Sequence, residues 1–118
     1  MEIKDLIELQ AKLDDRHGFP SKFESQKEKY DQLSKDLVGL FGEIGEFSNV
    51  VKKINLKISY DDKYDLDLST AKEHLSEELV DSLIYILRIA RILGIDIQEE
   101  TLKKMRANEK RYAKLRRY

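Results

Sequence analysis

The sequence predicts an all-α protein, organised as a four-helix bundle in a single domain over residues 1–118. One proline and five glycines in 118 residues leave few positions at which a helix must end. Apolar residues make up 41% of the chain and charged residues 38%, and the apolar positions recur at helical spacing in four segments. No internal repeat or low-complexity segment interrupts this pattern, as expected of one domain of this length.

The first two helices are expected over about residues 2–17 and 24–54. Gly18 and Pro20 end the first, because glycine caps helices and proline cannot continue them. The apolar stripe of the second follows a 3.6-residue period. It consists of Tyr30, Leu33, Leu37, Leu40, Phe41, Ile44, Phe47, Val51 and Ile54. This segment also contains Gly39, Gly42 and Gly45. Each glycine costs about 1 kcal/mol relative to alanine, which indicates close approach of another backbone or a ligand.

A connection is expected over residues 55–68, which hold turn formers and no apolar stripe. The third helix is expected from residue 69 or 70 to residue 93, before a glycine. Thr70–Glu73 has the spacing of a capping box at its start. The fourth helix is expected over about 97–115, behind a cap at Asp96–Glu99.

The third helix carries two apolar faces that are nearly opposite each other. The first face consists of Leu75, Leu79, Ile86, Ile89 and Leu93. The second consists of Val80, Leu83, Ile84 and Leu87. A helix that is apolar on two sides is buried on both, and one small domain can hardly cover it. We therefore expect the second face to lie at an oligomer interface; the alternative is packing on the first or fourth helix of the same chain.

Two pairs of carboxylates lie beside the apolar stripes of the second and third helices. They are Glu43 with Glu46, and Glu78 with Asp81. A spacing of three places both members of a pair on one side of a helix. If the two helices pack side by side, four like charges converge and repel, and a divalent cation with oxygen ligands, Mg²⁺ or Mn²⁺, would resolve this. The alternative is a set of interhelical salt bridges to Lys52, Lys53, Arg88 or Lys104.

The motifs around these carboxylates resemble a known family. Residues 40–47 (LFGEIGEF) followed by residues 77–85 (EELVDSLIY) are similar to the MazG-like all-α nucleoside triphosphate pyrophosphatases, and most to the compact dCTP-pyrophosphatase-like branch. Residues 9–19 resemble the N-terminal segment of that family, and residues 104–112 resemble its fourth-helix motif. The resemblance therefore spans nearly the whole chain.

The resemblance implies Mg²⁺-dependent hydrolysis of a (deoxy)nucleoside triphosphate to the monophosphate and pyrophosphate, in nucleotide-pool cleaning, with Mn²⁺ as a substitute cation. The implied metal ligands are Glu43, Glu46, Glu78 and Asp81. Glu46 or Glu43 would orient or deprotonate the attacking water. The implied substrate contacts are Tyr85, Lys104, Asn108, Arg111, Tyr112, His17 and Phe19. A homo-oligomer, either a dimer or a tetramer, is implied as well.

Composition and charge exclude other classes. The absence of cysteine excludes a disulfide framework and a thiol nucleophile. No apolar run reaches the roughly 20 residues of a membrane span, and the N-terminus does not resemble a signal peptide, so we expect a soluble cytoplasmic protein. The basic segment 103–118 is either a solvated helix end, a phosphate contact or a nucleic-acid surface, and a net charge of −1 argues against the last. The alternative function is a non-catalytic oligomeric helical interaction module.

Overall fold

The computed structural model describes residues 1–60 and 63–117, and these residues form helices joined by short connections. The helices are α1 (Ile3–His17), α2 (Gln26–Tyr60), α3 (Leu68–Leu93) and α4 (Ile97–Arg111), followed by a 3-10 turn at Ala113–Leu115. No strand occurs in the described part of the chain, so the predicted all-α class is confirmed. Within the same residues, no helix combines the length and apolar character that crossing a membrane requires.

Three of the predicted helix ends are confirmed. Gly18 and Gly94 follow α1 and α3 with φ of 78° and 67°, the left-handed conformation that favours glycine at a helix C-terminus. Asp96 caps α4, and its carboxylate accepts the Glu99 backbone N–H at 3.0 Å. Local sequence signals therefore place these ends correctly.

Three other boundaries differ from the prediction. Residues 55–60, predicted as connection, continue α2 to Tyr60, since they contain no glycine or proline and the Leu56 side chain is half-buried. Asp67, rather than the Thr70–Glu73 pair, caps α3 by accepting the Ser69 backbone N–H at 3.0 Å. α4 ends at residue 111 instead of 115, where the backbone tightens into the 3-10 turn. Residues 61 and 62 of the predicted connection lie outside the described residues.

The longest helices, α2 and α3, pack against each other as an antiparallel pair. Glu43 of α2 lies beside Glu78 of α3, whereas Asp36, two turns earlier on α2, lies beside Arg88, farther along α3. The first helix, α1, packs against α3, and α4 packs on α1. This order places the carboxylate motifs on the α2–α3 seam and the basic fourth helix outside it.

The chain exposes more surface than a compact monomer of its size. Its radius of gyration is 18.6 Å, against about 13.5 Å for a compact domain of this length. Its accessible surface is 9446 Å², against about 6,700 Å² for a compact monomer of this mass. The buried apolar residues are Leu33, Ala71, Leu87, Ala90 and Ile92. The core of a single chain is therefore small.

A single chain leaves much of both apolar faces of α3 uncovered. Leu87 of the second face is buried, but Val80 and Leu83 on that face are 51% and 45% exposed. On the first face, Leu79 is 61% exposed and Ile86 is 40% exposed. The physical reason is that α2 and α1 cover only part of the circumference of α3. The oligomer interface itself stays a prediction.

Candidate metal centre

Three carboxylates meet on the seam between α2 and α3. One carboxylate oxygen from each of Glu43, Glu46 and Glu78 lies within 4.8 Å of the others. Glu43 and Glu46 stand one turn apart on α2, and the antiparallel packing brings Glu78 of α3 against them. Glu43 and Glu78 are half-buried, while Glu46 is exposed. We call these three residues the acidic cluster.

Glu78 is the most strongly affected member of the acidic cluster. Its Oε2 atom is buried and has no hydrogen-bond partner in the described residues. A hydrogen bond shared with Glu43, loss of surrounding water and the nearby Glu46 together raise the pKa of Glu78 to about 8. Without a cation, this carboxyl group therefore retains a proton at neutral pH.

Among the residues that the structure describes, no basic side chain forms an ion pair with the acidic cluster. The ion pairs among the described residues involve none of Glu43, Glu46 and Glu78. The alternative prediction of interhelical salt bridges named Lys52, Lys53, Arg88 and Lys104. None of these four cations pairs with the cluster in the described residues, and Arg88 pairs elsewhere. Within residues 1–60 and 63–117, the acidic cluster therefore holds oxygen ligands and no paired counter-charge.

Asp81, the fourth predicted ligand, lies outside the three-carboxylate group. It is one turn beyond Glu78 on α3, is exposed, and lines a shallow surface cleft with Ser76 and Val80. On α3 it stands between Glu78 and Tyr85, and Tyr85 in turn contacts Gly39 of α2. Asp81 thus lies beside the acidic cluster along the same seam, but its carboxylate is not gathered into it.

Tyr85 explains one of the three glycines inside α2. A Cβ atom on Gly39 would overlap the Tyr85 ring, so the close approach there comes from a side chain of α3 and not from the predicted backbone or ligand. A Cβ atom on Gly42 or Gly45 would meet nothing within 4 Å. The helix surface beside Glu43 and Glu46 is therefore open in this chain.

The two predicted contact residues near the N-terminus take different positions. Phe19 is half exposed, and its ring centroid lies 4.8 Å from the Arg88 guanidinium carbon. His17 is exposed at the end of α1. Of the two residues, Phe19 therefore contacts a side chain of α3.

The predicted contact residues of the fourth helix lie apart from the acidic cluster. Lys104, Arg111 and Tyr112 are exposed, and Asn108 is half-buried. Asn108 and Tyr112 line a cleft with Met105 at the end of α4. Since α4 packs mainly on α1, these groups are not gathered on the α2–α3 seam of the same chain.

A second carboxylate cluster, which the sequence reasoning missed, joins α1, α2 and α3. Arg88 donates from Nε and Nη2 to the two carboxylate oxygens of Asp14, at 3.1 and 2.9 Å. Its Nη1 lies 3.8 Å from Asp36 Oδ1. Asp14 and Asp36 are both buried, with 3% of each residue exposed. We call these three residues the arginine cluster.

Two glutamine side chains complete the arginine cluster. Gln10 donates to Asp14 at 2.8 Å, and Gln32 donates to Asp36 at 3.2 Å. Burial raises the pKa of Asp36, and its Oδ2 atom has no partner in the described residues. One sequence signal could have found Asp36, because it falls within the apolar stripe of α2, three residues after Leu33.

Comparison with protein-family models and with curated proteins gives no match to this chain.

Proposed function

We propose that this chain is a Mg²⁺-dependent nucleoside triphosphate pyrophosphatase of the MazG-like type. The observation that carries the proposal is the acidic cluster, three carboxylates brought together on the α2–α3 seam that form no ion pair in the described part of the chain. The family resemblance of residues 40–47 and 77–85 covers the same seam. Its role would be hydrolysis of surplus or damaged nucleotides in the cytoplasm.

The donor set of the acidic cluster fits a hard divalent cation. Mg²⁺ prefers carboxylate oxygens and keeps several water ligands, which suits an open, partly exposed group of three glutamates. The buried Oε2 atom of Glu78, which lacks a partner, is the kind of atom that a cation would satisfy. Glu43, Glu46 and Glu78 would hold the metal, and Asp81 would join them after a side-chain rotation.

The reaction needs a water molecule, a triphosphate and a proton acceptor. The water oxygen bonds to the α-phosphorus, the bond from that phosphorus to the bridging oxygen breaks, and pyrophosphate leaves. When bound, Mg²⁺ neutralises phosphate charge and lowers the pKa of coordinated water. Glu46 or Glu43 would orient the attacking water and accept its proton. Phosphoryl transfer depends chiefly on such positioning and charge stabilisation, and no protein nucleophile is required.

The phosphate and base contacts would come from α4 and α3. Lys104 and Arg111 form no ion pair within the described residues, so both remain available for phosphate oxygens. Asn108, Tyr112 and Tyr85 would contact the sugar or base. Because α4 packs on α1 rather than on the α2–α3 seam, we infer that a second copy of the chain completes the substrate site.

Homo-oligomerisation is supported by the surface of the single chain. The accessible area exceeds that of a compact monomer by about 2,700 Å², more than the roughly 800 Å² that each partner buries in a standard interface. Leu79, Val80 and Leu83 of α3 are part of this exposed apolar surface. Light scattering at micromolar concentration should give a dimer or a tetramer. A monomer would contradict this part of the proposal.

The decisive experiment is pyrophosphate release from a panel of deoxy- and ribonucleoside triphosphates, with Mg²⁺, with Mn²⁺ and with chelator. We expect release that requires a divalent cation. Glu78→Gln should reduce it by about 100-fold or more, since even outer-shell partners of metal ligands cost 10- to 100-fold. The matched control is Glu77→Gln, an exposed neighbour outside the acidic cluster, which should retain activity.

The second candidate function is a non-catalytic interaction module, which the exposed apolar faces of α3 favour. It predicts no pyrophosphate release from any nucleotide and no metal binding, together with an oligomer that Glu78→Gln leaves intact. Pyrophosphate release and metal binding, measured on wild type and Glu78→Gln, therefore decide between the two functions.

A further inference from the structure

Arg88 connects four parts of the chain through one guanidinium group. It forms a two-point hydrogen-bonded pair with Asp14 of α1 and lies 3.8 Å from Asp36 of α2. The Phe19 ring, in the connection after α1, lies 4.8 Å from the guanidinium carbon. The Tyr85 ring lies 5.4 Å from the same carbon. A planar guanidinium can make such directional pairs and stack on aromatic rings at once, which an ammonium group cannot.

Tyr85 lies between the arginine cluster and the acidic cluster. Its ring end packs on Gly39, which precedes Glu43 by one turn of α2. On α3, Tyr85 follows Asp81 by one turn and precedes Arg88 by one turn. The Tyr85 ring therefore contacts the Gly39 backbone at one place and the Arg88 guanidinium at another. Moving Arg88 should change the ring position while leaving the three glutamates in place.

The anchoring of Arg88 is stiff because it is buried. Only 13% of its side chain is exposed, and its two carboxylate partners are 4% and 5% exposed as side chains. Charge-assisted hydrogen bonds with two-point geometry fix orientation as well as distance. A group held this way is suited to positioning a neighbour rather than to reacting with a ligand.

We propose that Arg88 is a positioning residue that holds the Tyr85 ring beside the acidic cluster, with Asp14 and Asp36 as its anchors. This inference rests on the proposed function, in which Tyr85 contacts the nucleotide. Arg88 itself touches neither substrate nor metal. Its effect reaches the site through the ring.

The first test does not depend on activity. Incorporation of 3-fluorotyrosine gives a fluorine NMR resonance for Tyr85, assigned with Tyr85→Phe. Arg88→Lys, which keeps the charge but loses the two-point geometry, should shift this resonance. Asp36→Asn, a milder change to an anchor, should shift it in the same direction by less. The matched control is Arg91→Lys, one turn along α3, because Arg91 pairs with the exposed Asp15 at 3.6 Å.

The second test separates positioning from a general structural role. Arg88→Lys should raise KM for the preferred triphosphate about tenfold, the effect of one net hydrogen bond, with kcat changed less than about twofold. In a Tyr85→Leu background the same substitution should have little further effect on KM. Mn²⁺ affinity, measured by electron paramagnetic resonance without nucleotide, should be unchanged.

The outcomes distinguish this inference from the proposed function. An unmoved Tyr85 resonance in Arg88→Lys, an equal shift in Arg91→Lys, or additive KM effects in the double variant would overturn the positioning role. Absence of pyrophosphate release from wild-type protein would overturn the proposed function, and the fluorine comparison alone would then decide whether Arg88 positions Tyr85.

Discussion

The acidic cluster and the arginine cluster both bring repelling carboxylates together, and they differ in how that repulsion is relieved. Each brings carboxylates from neighbouring helices together at a helix–helix seam, where like charges repel. In the arginine cluster, Arg88 lies between Asp14 and Asp36 and supplies a positive charge. In the acidic cluster, Glu43, Glu46 and Glu78 have no cationic partner among the described residues, and Glu78 retains a proton instead.

The difference indicates what each cluster is suited to do. An internal cation fixes three helices relative to one another without any ligand. Carboxylates that repel one another without a cation destabilise the packing of their two helices until a proton or a metal ion binds. This unmet charge favours binding of a cation, as a metal site requires. The same residue type therefore serves architecture in one place and, by our proposal, chemistry in the other.

The largest expected effect comes from breaking the arginine cluster. Asp14→Asn removes one buried charge and leaves Arg88 without its two-point partner, so the free energy of unfolding should fall by about 3 kcal/mol or more. Urea unfolding at a fixed protein concentration measures this. The control is Asp15→Asn, because Asp15 itself is exposed and its pair with Arg91 at 3.6 Å should contribute less than about 1 kcal/mol. Equal losses of unfolding free energy in Asp14→Asn and Asp15→Asn would show that the Arg88–Asp14 pair contributes no more to stability than the Arg91–Asp15 pair.

The next effect is metal-dependent stabilisation of the acidic cluster. Mg²⁺ at about 100 times its Kd should raise the free energy of unfolding by about 2.7 kcal/mol, since it binds the folded chain. Glu46→Gln should abolish this rise, and Glu77→Gln should preserve it. Thermal unfolding with and without the cation provides the measurement. Stabilisation that survives in Glu46→Gln would show that the cation binds elsewhere.

Two glycines of α2, which lie between the arginine cluster and the acidic cluster, test how closely α3 packs on this part of the helix. Gly39→Ala should destabilise by about 1–3 kcal/mol, because the new methyl group overlaps the Tyr85 ring. Gly42→Ala, in open space, should stabilise by about 0.4–1 kcal/mol through reduced unfolded-state entropy. Both values come from chemical unfolding. A destabilising Gly42→Ala would instead show that a second copy or a ligand packs on this position.

The smallest expected effect is the pH dependence of the metal-free protein, because the acidic cluster is partly open to water and solvent screens its charges. Folding raises the pKa of Glu78 from 4.5 to about 8, so between these values the folded chain binds a proton that the unfolded chain has lost. Stability therefore falls as pH rises through this window, and metal affinity rises. Unfolding curves at several pH values in chelator, for wild type and Glu78→Gln, measure the slope. If the unfolding free energy of Glu78→Gln fell equally steeply with pH, the pH dependence would arise from another group.

The acidic cluster could be predicted to a large extent from sequence. The three-residue spacing of Glu43 and Glu46, and their position beside apolar stripes, indicated that α2 and α3 would bring carboxylates together. The position of Asp81 outside the group could not be predicted, because it depends on a side-chain rotamer and on the rotation of α3. The exposed apolar residues of α3 were expected to need a partner, and a single chain leaves them uncovered.

By itself, the sequence determined the helical class and the ends set by Gly18, Gly94 and Asp96, because periodicity and capping act over a few residues. Only the tertiary structure decided which carboxylates receive a cation from the chain. Asp14 and Arg88 are 74 positions apart, and their pairing follows from the packing of α1 against α3. Contacts between residues so far apart in the sequence depend on how the whole chain packs, and the spacing of residues within one helix does not determine them.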